Sequence, residues 1–62
     1  METIEIHVTL TDAQAWELAQ FLKRVCFSDY RDHATSDEEA YHMVNARERI
    51  RGALADQGYA PR

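Results

Sequence analysis

The stretch TIEIHVTL, residues 3–10, constrains the chain most. Apolar and polar residues alternate through it without a break, with Ile4, Ile6, Val8 and Leu10 on one side and Thr3, Glu5, His7 and Thr9 on the other. A period of two is the mark of a strand with one buried face, so the pattern predicts a β-strand over residues 3–10. The chain offers only this one strand. Its backbone N–H and C=O groups would line two edges that nothing else in the sequence can satisfy. Two solutions stay open: a two-fold homodimer in which the strands of two copies form an antiparallel ribbon under the helices, or addition of the strand to an exposed sheet edge of a different protein.

Helix signals follow at once. Thr11 and Gln14 stand in the T-x-x-Q form of a capping box, Asp12 suits the positive end of a helix dipole, and Lys23 and Arg24 suit the negative end. They predict a first helix over residues 12–25, with Ala15, Leu18, Leu22 and Val25 as its core stripe and Ala19, Phe21 and Cys26 at the stripe's edges. Ser36 with Glu39 repeats the box as S-x-x-E, Gly58 suits a left-handed helix end, and Pro61 forbids resumption. A second helix over residues 37–57 is therefore expected, with a stripe of Met43, Ala46, Ile50 and Leu54 broadened by Ala40 and Ala53. Tyr59 should fold back toward Leu54 in a Schellman-type ending. Gly52 inside this helix costs about 1 kcal/mol relative to Ala, which points to a close helix crossing. The expected fold class is thus α+β, a single domain over residues 1–62 in β-α-α order. Residues 26–35 connect the helices with a short helical turn that Ser28 could cap, and residues 58–62 form a tail.

Length and composition narrow the function. A chain of 62 residues buries only about 60% of its unfolded surface, so a second copy or a bound partner is a natural source of further stability. A single cysteine closes no disulfide within the chain, and no C-x-x-C or H-x-x-x-H spacing offers a zinc clip. The lone Cys26 fits a reducing compartment, and no apolar run reaches the length of a membrane span, so the expected location is cytoplasmic. Eleven acidic residues against seven basic ones give a net charge of -4, which disfavours phosphate backbones and favours a protein partner with a basic surface. The cluster RERIR, with Arg47, Arg49 and Arg51, is the one feature that speaks for nucleic acid.

The polar connection CFSDYRDHATSDEEAYH invites a metal or catalytic reading. Glu39 and His42 make a single E-x-x-H, whereas a carboxylate-bridged di-metal site needs a second copy and further glutamates on facing helices. Asp29 and His33 have the spacing of a surface pair on a helix. Cys26 extends an apolar stripe and reads as a small buried hydrophobe, with no oxyanion or substrate-positioning motif beside it. No catalytic, cofactor-binding or metal-ligating residue is therefore assigned, and the chain is read as a non-enzyme. Arg47 and Arg51 are expected to pair with loop carboxylates such as Asp29 or Asp32. The candidate partner-binding residues are the acidic cluster Asp29, Asp32, Asp37, Glu38 and Glu39, with Trp16 or Tyr30 as the aromatic anchor. Trp16 is either an exposed anchor or covered by a dimer partner or the connecting loop; Tyr30, Tyr41 and Phe27 share the ambiguity, with Phe27 placed to plug the end of the helix pair.

Two resemblances bear on this. The order strand, helix, helix resembles the ribbon-helix-helix regulators, which implies paired strands reading DNA in the major groove. Here the outward residues Thr3, Glu5, His7 and Thr9 include no Lys or Arg, and the connection from Cys26 to Thr35 is longer than that family's tight turn. The arrangement LTDAQAWELAQFLKR, FSDYR, DEEAYHM and a closing GYAPR looks like small uncharacterised proteins of bacteriophages and mobile elements of proteobacteria. That likeness implies a protein that acts by occupying a host protein surface, as many inhibitors of CRISPR systems do. The sequence therefore predicts a homodimeric, non-enzymatic protein-binding module, with a DNA-binding regulator of ribbon-helix-helix type as the alternative.

Overall fold

The computed structural model describes residues 2–62. Three helices follow one another: α1 over Asp12–Arg24, α2 over Phe27–Asp32 and α3 over Asp37–Asp56. Residues 2–10 form an amino-terminal arm with no regular structure, and every residue in it is exposed. The expected α+β, β-α-α arrangement is thus corrected: among the described residues the protein is all-helical and contains no strand. Alternation records that one side of a segment is apolar, but a strand also needs a second backbone to bond to. The three helices, whose backbone groups bond internally, leave none for residues 3–10.

The first helix forms for the reasons its sequence gives. Thr11 Oγ1 accepts from the Gln14 N–H at 3.1 Å, and Gln14 Oε1 accepts from the Thr11 N–H at 2.9 Å, so the capping box is complete. The helix α2 starts differently from the expected Ser28 cap. Cys26 occupies the cap position and its N–H is bound by Asp29 Oδ2 at 2.8 Å, a carboxylate at a helix start where the dipole favours it. At the start of α3, Ser36 Oγ accepts from the Glu39 N–H at 3.2 Å, but the Glu39 carboxylate turns instead to the Thr35 hydroxyl at 2.6 Å, so only half of that box forms. The far end of α3 is a Schellman motif. Gly58 has φ 96°, its N–H bonds Ala55 O at 2.9 Å, and the Tyr59 N–H bonds Leu54 O at 2.9 Å.

The element α3 is the spine, packing against both α1 and α2. The core is small. Ala15, Ala19 and Leu22 of α1 meet Leu54 of α3, with Leu18 and Tyr59 partly buried against them, and Ala40 is the fifth buried apolar residue. Among the described residues no large side chain is fully buried. The radius of gyration is 12.6 Å, whereas a compact chain of this length would have about 10.6 Å; the projecting arm accounts for the sense of the difference.

Three expectations about the helices are corrected by this packing. Along α3 the inward row runs through Ala40, Met43, Val44, Arg47, Arg51 and Leu54, so Ala46, Ile50 and Ala53 of the expected stripe face solvent. Arg47 and Arg51 do not reach Asp29 or Asp32. The Arg47 Nε–H donates to Leu22 O at 2.8 Å, and both guanidinium groups approach Glu48, at 3.2 and 3.8 Å. Leu22 lies in the last turn of α1, whose carbonyls have no partners within their own helix, so Arg47 caps α1 from across the molecule while its stem packs in the interface. Cys26 is exposed rather than buried, because α1 ends before it and the chain turns into α2. Gly52 marks no close crossing either: a Cβ there would meet nothing within 4 Å.

Candidate functional site

An open apolar groove runs along the space between α1 and α2. Trp16, Gln20, Phe21 and Arg24 of α1 form one wall with Glu17, Val25 continues it, Asp29, Tyr30 and His33 form the other, and Met43 of α3 contributes to the floor. Its volume is about 750 Å³. The groove exists because α1 and α2 both lean on α3 and not on each other, so the wedge between them stays unfilled. Phe21 is 60% exposed and Trp16 40% exposed on its rim, large apolar area left in water in a protein whose core is five residues.

The side chains around the groove differ in how much of their bonding capacity is used. Trp16 is held edge-on by Tyr59, with ring centroids 5.1 Å apart and an interplanar angle of 72°. The Tyr59 hydroxyl donates to Asp12 Oδ1 at 2.7 Å, and that bond to a carboxylate raises the phenol above its ordinary value of 10.0. Tyr30 Oη is shut off from solvent and has no hydrogen-bond partner among the described residues. Arg24 bonds Gln20 Oε1 at 3.2 Å and faces no carboxylate within ion-pair distance among the described residues.

The acidic cluster is mostly engaged in building the connection. Asp29 holds the Cys26 N–H, Glu39 holds Thr35, and Asp37 takes the Arg31 Nε–H at 2.6 Å while Arg31 also donates to Ala34 O at 3.0 Å. Asp32 and Glu38 have no such partner among the described residues. Of the candidate anchors, Trp16 and Tyr30 come together in the groove; Phe27 does not plug the helix pair but stacks on Tyr41 at 4.9 Å, half exposed. Sequence reading missed Phe21 and Met43 as groove residues. Phe21 carried a legible signal, since it sits off the buried row of Ala15, Ala19 and Leu22 and a large apolar residue there has no core to enter.

Further apolar side chains are exposed on the arm and, outside the groove, at Phe27, Tyr41 and Ile50. Ile4, Ile6 and Val8 are 83%, 73% and 68% exposed, and Leu10 is 39% exposed at the start of α1. Charge follows the same division. No Lys or Arg precedes Lys23, and the four acidic residues before it, Glu2, Glu5, Asp12 and Glu17, account for the whole net charge of -4; the other seven acidic residues are balanced by the seven basic ones.

In class this is a small all-helical protein, with an acidic apolar arm and an open aromatic groove that leave large apolar side chains in water. The family described as "Family of unknown function (DUF7706)" matches it over residues 1–62, so the chain belongs to that family. No curated protein and no solved structure matches it. Among the described residues no helix is long and apolar enough to cross a membrane.

Proposed function

We propose that this chain is a non-enzymatic protein-binding module whose contact surface is the groove between α1 and α2, with Trp16, Phe21 and Tyr30 as anchors. The observation that carries the reading is the exposure of large apolar side chains on the groove rim beside a core too small to need them. Burying a side chain such as Phe or Ile is worth about 1.5–3 kcal/mol, so a few of these residues supply most of a binding energy. The partner has an apolar strip for the groove and a basic surface for the acidic amino-terminal half, with Asp32 and Glu38 adding to the attraction. Occupation of a host protein's surface is the form of such binding that the likeness to phage-type proteins implies.

The competing class is a DNA-binding regulator. It needs cations where the chain meets phosphates, and the arm brings Glu2 and Glu5, with His7 at 4.0 Å from Glu5. Protein is therefore the partner we assign. The test is retention of proteins by the immobilised full chain, compared with Phe21→Asp and with the double change Asp32→Lys, Glu38→Lys. The reading expects a protein, which includes the chain itself, that is lost with Phe21→Asp and weakened with rising salt and by the charge reversal. Equal retention by wild type and Phe21→Asp removes the groove from the function, and retarded DNA fragments that depend on Glu5 or His7 favour the regulator.

A further inference from the structure

We draw no further inference here: the strongest candidate, the exposed apolar side of the amino-terminal arm formed by Ile4, Ile6 and Val8, carries none because nothing in the structure shows what covers it.

Discussion

Replacing Arg47 by Met is the sharpest test of how α1 is held on α3. Methionine keeps most of the apolar stem that lies in the interface and deletes the guanidinium, whose Nε–H bonds Leu22 O at 2.8 Å with only 18% of the side chain exposed. A hydrogen bond from a charged donor is worth about 1.5–3 kcal/mol, and the attraction of a cation for a helix carboxyl end lies within the same range. The ion pair with Glu48 adds little, because Glu48 is 56% exposed. Loss of about 2 kcal/mol follows, against a total stability of about 3–5 kcal/mol for a domain this small. In urea, with a slope of about 1 kcal/mol per molar, the midpoint falls by about 2 M, and the melting temperature by about 8–16 °C. Both variants should be compared at one protein concentration, since association would shift either midpoint. Glu48→Gln serves as the control and should change stability by less than about 0.5 kcal/mol. If Arg47→Met unfolds within about 0.5 kcal/mol of wild type, the guanidinium is not what closes the end of α1.

The two glycines should respond to alanine with opposite signs. Gly52→Ala, exposed in the middle of α3 with nothing near its Cβ, stabilises by about 0.8–1 kcal/mol, while Gly58→Ala at φ 96° destabilises by about 1–2 kcal/mol; thermal melts of the pair decide. Thr11→Ala removes the side-chain half of the box at α1 and loses about 1 kcal/mol, read as a lower urea midpoint. Tyr59 makes stability pH-dependent on the alkaline side. Its folded value lies above 10.0, so the native state keeps the proton where the unfolded chain has released it. The contribution is complete below pH 10, declines as pH rises through the folded value, and is absent in Tyr59→Phe, whose denaturation midpoints should lose that part of the alkaline slope.

What the sequence reveals depends on whether the relevant partner is local. The ends of α1 and α3 are legible because a cap is a contact between residues three to five apart: Thr11 with Gln14, Ser36 with Glu39, Leu54 with Tyr59. The inward face of α3 is not legible, because Arg47 lies inward to serve a carbonyl 25 residues away and no hydrophobic period anticipates a guanidinium in that row. The arm shows the same limit from the other side. Its alternation says which residues share a face, yet whether that face becomes a strand is decided by a second backbone outside residues 3–10. Trp16 and Tyr30 could be picked out as aromatics off the core row, but the groove that joins them depends on the angle at which α1 and α2 leave α3, and their sequence does not encode that locally.

The bond between Tyr59 and Asp12 joins residues 47 apart and closes the folded body nearly end to end. Contacts of that separation form last, since the loop they close must be ordered before they return anything, whereas the helices and their caps assemble from neighbours. Docking of the tail is therefore a late step on the way in and an early one on the way out. Loosening the Tyr59 clasp speeds the opening of the molecule and leaves the rate of its assembly nearly unchanged. Tyr59→Phe is therefore expected to shorten the lifetime of the folded state, through the ring that also steadies Trp16 at the groove.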